Sequence, residues 1–208
     1  VHAVIMVESQ HHTRTILFSV EGPAGAADDQ PPAALIESAK CLFIDTYGVP
    51  GLIRAARIAR AAGIPVVADF EHDHDPDFKV LEGLTDHLIA SQRFALEFTG
   101  ASNAHDAVAA LWNDDRAVVA VTCGSDGCWY RSADDPNIRH QPAYPVEVVD
   151  TTGCGDVFHG AYAAALVEGV ELVDRIRMAS AAAALKAAPW RKAGHPGSRP
   201  GGRFSAGA

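Results

Sequence analysis

The sequence predicts an α/β layer protein with a mainly parallel sheet, helices on both faces and its chemistry at the carboxyl ends of the strands. Three observations lead there. Short apolar runs at residues 41–44, 64–68, 88–90 and 117–121 are rich in Val, Ile, Leu and Ala, the pattern of strands covered on both faces. Segments with helical spacing, several of them closed by glycine, stand between these runs and give the β-α-β alternation of a parallel sheet with right-handed crossovers. The 208 residues are 48% hydrophobic and 21% charged, enough for one core and unlike a disordered chain.

Each element has its own justification. Val4 and Met6, then Thr15 and Leu17, share one parity across a polar turn from Glu8 to Thr13, which predicts a hairpin over residues 1–20. Residues 22–32 are rich in Gly, Pro, Ala and Asp, a loop composition. A short helix opens at Ala34, the 41–44 strand follows, and Gly48 and Pro50 mark a turn. Leu52, Ile53, Ala56, Ile58 and Ala59 carry a helix to Gly63, a residue suited to the position just past a helix end, before the 64–68 strand. Glu71-His72-Asp73-His74-Asp75 alternates imidazole and carboxylate, yet it lies between a strand end at Asp69 and Pro76 and reads as a polar loop rather than a metal site; His11-His12 falls in the hairpin turn. After the 88–90 strand, Phe94, Leu96 and Phe98 precede Gly100 in a short helix, and Ser102 or Asn103 caps another through Trp112. The 117–121 strand leads into Thr122-Cys123-Gly124-Ser125-Asp126-Gly127, where two glycines permit a tight turn into a strand at 128–130. Val146, Val148 and Val149 predict a further strand, and Leu172, Ile176, Ala179 and Ala183 share the stripe of a last helix. The α/β unit is assigned to residues 33–188, and 189–208, without periodicity, to an irregular tail.

Composition bounds the function classes. A formal net charge of −9 argues against a nucleic-acid backbone or an anionic membrane as partner, because both select clustered Lys and Arg. No run approaches the ~18 apolar residues of a membrane span, and the first residues lack the regions of a signal peptide. Cys41, Cys123, Cys128 and Cys154 form no CxxC pair and read as reduced thiols, which predicts a cytoplasmic location. The opening at Val1, in what reads as mid-strand, predicts a fragment of a longer protein.

The stretch that carries chemistry is Asp150-Thr151-Thr152-Gly153-Cys154-Gly155-Asp156-Val157-Phe158-His159-Gly160. It reads as a tight turn running into a helix, whose first amides have no internal partner and whose dipole favours an anion by roughly 0.3–1 kcal/mol, ~2 when partly buried. A phosphoryl group suits that place. Asp156 puts a carboxylate where the anion belongs, a local conflict of the kind found at functional sites. The local pattern alone fits a general base and a helix cap equally well. Two phosphate motifs fail here: Ala161 and Tyr162 stand where a P-loop requires Lys and Ser/Thr, and Phe158 stands where a dinucleotide fingerprint requires its third glycine.

The segment resembles the second signature of the ribokinase-like, or PfkB, carbohydrate kinase family, Asp-Thr-x-Gly-Ala-Gly-Asp followed by x-Phe-x-Gly-Ala. Its only departure from Asp150 to Ala161 is Cys154 for Ala. The resemblance implies a ribokinase-like fold in which residues 1–20, with the phrase Arg14-Thr15-Ile16-Leu17, are the remnant of a β-sheet lid over the sugar. It implies that Asp156 is the base that activates the sugar hydroxyl and that the amides of Gly153, Cys154 and Gly155 form the anion hole. By the same resemblance Thr122, Gly124 and Gly127 line the nucleotide, Ser180 lies near the adenine, and Asp150 and Thr152 hold a monovalent cation, so potassium activation is predicted. ATP and Mg2+ are the implied cofactors. The family's Asn-x-x-Glu motif is replaced by Ser91-Gln92-Arg93-Phe94, so no magnesium role is assigned to these residues. The resemblance runs from Val1 to about Lys186, without the family's opening strands, its sugar-gripping Asp and its Gly-Gly-rich first signature.

The implied function is ATP-dependent phosphorylation of a hydroxyl of a fructose- or ribose-like sugar. The alternatives are a truncated, non-catalytic nucleotide-binding protein and a kinase of a non-sugar alcohol in the same fold. The implied partners are a small-molecule sugar and a second copy paired through the lid strands, with neither nucleic acid nor membrane.

Overall fold

The computed structural model describes residues 2–8, 13–19, 21–22 and 25–189. Strands β1 (His2–Glu8) and β2 (Thr13–Ser19) pair antiparallel from His2 opposite Ser19 to Glu8 opposite Thr13, as the alternation predicts. Val4, Ile5, Met6, Ile16, Leu17 and Phe18 are all exposed, so both faces of this ribbon are open.

The chain continues through α1 (Ala33–Glu37), β3 (Leu42–Ile44), α2 (Val49–Ala61), β4 (Val66–Ala68), α3 (Phe78–Gly83), β5 (His87–Ser91), α4 (Gln92–Thr99), α5 (Ala104–Leu111), β6 (Val118–Thr122), a 3-10 turn (Gly124–Asp126), β7 (Cys128–Ser132), β8 (Arg139–Gln141), α6 (Cys154–Val167) and α7 (Leu172–Ala187). The six-stranded sheet has the order β3-β4-β5-β6-β7-β8. Neighbours run parallel from β3 to β6, and β7 and β8 add on antiparallel. This is the mixed, mainly parallel α/β sheet that the alternation of apolar runs and helices predicts.

Strand alternation divides the core. Val66, Ala68, Leu88, Ala90, Val119 and Val121 join the residues of α2 to α5 on one face. Val67, Ile89, Val118 and Ala120 meet Phe158 and Tyr162 of α6 and Ile176 and Ala179 of α7 on the other. Along β4 to β6 both faces are covered, so successive residues are apolar rather than alternating. Each fully buried Leu, Ile or Phe contributes roughly 1.5–3 kcal/mol by leaving water. Local signals start and stop the helices. Asn103 is the cap of α5, its Oδ1 accepting from the Asp106 amide at 2.9 Å, and Ser91 Oγ caps α4 by accepting from the Phe94 amide at 3.2 Å.

One reading of the sequence is corrected, and two elements stand where none was expected. Val146, Val148 and Val149 form no strand: Pro142 and Pro145 flank or interrupt the run, Val148 and Val149 are exposed, and the Val149 amide donates to Ala187 O at 2.8 Å instead of to a ladder. The place beside β7 goes to β8, a polar edge strand that pairs Gln141 with Cys128. The short helix α3, following Pro76, had no apolar periodicity long enough to announce it.

Candidate active site

Because β3 to β6 run parallel, their carboxyl ends share one edge: Ile44 lies opposite Ala68, and Ser91 opposite Thr122. Asp45 and Asp69 follow β3 and β4 directly, and the Asp69 amide donates to Ile44 O at 3.0 Å. The first turn of α6 is fastened to this edge by His159, which is only 3% exposed. Its Nε2 lies 2.9 Å from Ile89 O, and its Nδ1 lies 2.8 Å from Gly155 O and 3.4 Å from Asp69 Oδ2. The exposed ring of Phe43 meets the imidazole edge-on, with centroids 5.8 Å apart.

Gly153 stands in front of α6 with φ 72°, a left-handed conformation that favours glycine. A Cβ at Gly153 would lie 3.4 Å from Asp156 Oδ2, so the Asp156 carboxylate folds back over this turn. Asp156 is exposed and makes no hydrogen bond among the described residues, so it is not serving as the helix cap. The Cys154 amide donates to Thr151 O at 3.2 Å and the Val157 amide to Gly153 O at 3.0 Å, whereas the amides of Gly153, Gly155 and Asp156 have no partner among the described residues. The turn therefore presents a carboxylate and three main-chain donors unpaired among the described residues.

Carboxylates crowd the same edge. Burial pushes Asp69 above the usual carboxylate range, and the charges of Glu71, Asp156 and Asp45 push the same way while His159 pulls it back. Among the described residues no group of three or more His, Cys, Asp or Glu could hold a metal ion. In the loop from Glu71 to Asp75, His72 and His74 stack at 4.6 Å and His72 Nε2 lies 3.3 Å from Thr46 Oγ1.

The remaining residues singled out from the sequence divide by environment. Thr122 ends β6 and donates from Oγ1 to Ala90 O at 3.4 Å. Gly124 has φ 58° and open space around the position of a Cβ, while a Cβ on Gly127, at φ 91°, would stand 2.1 Å from Gln141 O and 2.7 Å from Ala143 N. Gly127 thus closes the hairpin against the residues around β8. Ser180 is buried in α7, and its Oγ has no hydrogen-bond partner among the described residues. The Thr152 amide donates to Asp150 Oδ1 at 2.8 Å and Lys186 Nζ stands 3.6 Å from Asp150 Oδ2. The Thr152 amide first, and Lys186 with it, hold the Asp150 carboxyl below its ordinary value. Sequence reasoning gave no role to His159, Asp69 or Lys186. A histidine inside the apolar run of α6 was the one signal available.

The mainly parallel sheet flanked by helices is the α/β fold of the solved ribokinase-like proteins. A family model described as pfkB family carbohydrate kinase matches residues 2–188, and the chain belongs to this family. It is 33% identical over 158 residues to the bifunctional protein HldE of Pseudomonas fluorescens strain Pf0-1, covering 73% of this chain and 32% of that protein. The solved ribokinase of Arabidopsis thaliana, complexed with ribose and ATP, superposes with a TM-score of 0.74 at 27% identity over 89% of this chain and 62% of that one. Aminoimidazole riboside kinase from Salmonella enterica gives a TM-score of 0.62 at 25% identity, covering 71% and 56%. The chain thus spans about a third of the curated HldE relatives and about three fifths of these solved kinases. Among the described residues no helix is long and apolar enough to cross a membrane.

Proposed function

We propose that this chain transfers the γ-phosphoryl group of ATP to a hydroxyl of a fructose- or ribose-like sugar. The observation that carries the reading is the α6 turn, where the Asp156 carboxylate lies over Gly153 beside the unpaired amides of Gly155 and Asp156. Asp156 takes the proton of the sugar hydroxyl as its oxygen bonds to the γ-phosphorus; the bond from that phosphorus to the bridging oxygen breaks, and ADP leaves with the bond pair. The free amides of the turn, Gly153 among them, bear the charge on the transferring group, and Cys154, whose amide is paired, shapes the turn, so positioning and electrostatics supply most of the catalysis. Thr122 and Gly124 border the nucleotide, and the unpartnered Ser180 hydroxyl offers it a hydrogen bond. The Arabidopsis ribokinase solved with ribose and ATP supports both the nucleotide and the acceptor class.

Magnesium, which offsets phosphate charge when bound with the nucleotide, finds no protein carboxylate at Ser91-Gln92-Arg93-Phe94, where Ser91 caps α4 and Arg93 is exposed, so this reading leaves it to phosphates and water. The reading further places the protein in the cytoplasm, with a second copy meeting the open apolar ribbon of β1 and β2.

A coupled assay of ADP formation, run with ATP across ketoses, aldoses and nucleosides, tests the function. Sugar-dependent ADP formation is expected, with a drop of about 10²–10⁴ in Asp156→Asn while ATP binding persists. Undiminished turnover by that variant would refute the role of Asp156. The absent Asn-x-x-Glu favours a second reading, nucleotide binding without transfer, which ATP binding without ADP formation on any acceptor would support.

A further inference from the structure

The turn leading into α6 already carries a positive charge of its own. Lys186, in the last turn of α7, places Nζ 3.6 Å from Asp150 Oδ2 and 3.3 Å from the Asp150 carbonyl oxygen. The other carboxylate oxygen accepts from the Thr152 amide at 2.8 Å. Next along α7, Ala187 O accepts from the amides of Val149 at 2.8 Å and Asp150 at 3.4 Å. Two of the three oxygens of Asp150 therefore accept hydrogen bonds, the carbonyl from the ammonium and Oδ1 from the Thr152 amide, and Oδ2 faces the same ammonium at ion-pair distance, while the buried Thr152 hydroxyl has no partner among the described residues. A potassium ion seated on Asp150 and Thr152 would meet that ammonium at close range and be repelled by it. The carboxylate such an ion would need is already neutralised by Lys186, so the site does not fit a second cation even though the Thr152 hydroxyl is unpartnered.

We propose that the Lys186 ammonium stands in place of a monovalent cation: a built-in charge that ties the carboxyl end of α7 to residues 149–152 and so orders the turn presenting the Gly155 and Asp156 amides. The chemistry suits the position. An ammonium is a compact point charge with three donors, able to serve several oxygens at once as a bound ion would. It also lies at the carboxyl end of a helix, where the carbonyl dipoles favour positive charge. The chain thereby needs no potassium. Removing the charge opens a site of matching sign, which a free monovalent ion fills. The consequence for turnover rests on the phosphoryl-transfer reading above, whereas the ion pair and its response to salt do not.

The test compares thermal midpoints of the full chain in KCl, NaCl and choline chloride at equal ionic strength, for the native protein, Lys186→Met and Lys186→Arg. Lys186→Met keeps much of the aliphatic stem and loses the charge. The native protein and Lys186→Arg are expected to unfold at the same temperature in all three salts. The midpoint of Lys186→Met is expected about 2–4 °C lower in choline chloride and to recover in KCl. A native midpoint higher in KCl than in choline chloride would overturn the proposal, because a cation would then bind beside Lys186. A Lys186→Met midpoint that no salt changes would overturn it as well, and so would a KCl response in Lys186→Arg, which keeps the comparison decisive if the Met variant does not fold. ADP formation is followed in the same samples: its absence everywhere contradicts the phosphoryl-transfer reading, while the midpoints still decide the role of Lys186.

Discussion

Acid should loosen the α6 and α7 side of the sheet through one buried histidine. Arg175 Nη1 donates to the Tyr162 hydroxyl oxygen at 3.2 Å, and that hydroxyl lies 3.0 Å from His87 Nδ1. With the guanidinium as donor, the hydroxyl proton points to Nδ1, which makes the neutral imidazole the form that fits. Burial first, then the Arg175 charge, holds His87 down to about 4 from an ordinary 6.5. A depressed pKa means that the folded protein binds fewer protons than the unfolded chain between these values. Its contribution is therefore complete above pH 6.5 and is lost as pH falls towards 4. The full difference is about 3 kcal/mol, of which about 2 kcal/mol is lost between pH 7 and pH 4.5. His87→Asn keeps an acceptor near the Nδ1 position and cannot take a proton. Urea unfolding at pH 7 and pH 4.5 should show native stability falling about 2 kcal/mol further than that of the variant, whatever their difference at pH 7. Equal losses in the two proteins would refute the protonation argument.

Two further predictions concern the turn after β6. Cys123, pushed up to about 11 from 9.0 by burial and then by Asp126, should react with iodoacetamide at pH 8 about 100-fold more slowly than an unperturbed thiol; peptide mass spectrometry measures this, and a rate near that of a free thiol would contradict the burial. Gly127→Ala, whose Cβ would stand 2.1 Å from Gln141 O, should cost about 2–4 kcal/mol, whereas Gly124→Ala, in open space at φ 58°, should cost about 1–2 kcal/mol. Denaturant unfolding separates them, and equal losses would argue against Gly127 closing the hairpin.

Much of the fold was legible because burial on both faces leaves a dense record. The runs that became β3 to β6 are continuous apolar segments, and Asn103 and Gly100 mark helix boundaries by local chemistry. The errors fall where local composition and tertiary partners disagree. Val148 and Val149 have strand propensity, but their neighbours across space are α7 carbonyls and solvent, while Arg139, His140 and Gln141 form an edge strand that no apolar pattern marks. The site divides in the same way. The signature from Asp150 to Ala161 is contiguous and could be read directly. Lys186 meets Asp150 across 36 residues, and His159 meets Ile89 O across 70, contacts that only the packing of α6 and α7 on the sheet creates.

The central claim, that Asp156 and the α6 turn move a phosphoryl group onto an alcohol, is tested most directly by phosphorus NMR of the protein with ATP and the sugar that most stimulates ADP formation. A sugar phosphate ester should grow in step with ADP for the native protein, and should be lost in Asp156→Asn. ADP balanced by inorganic phosphate alone, or ester growing as fast in the variant, would contradict the account.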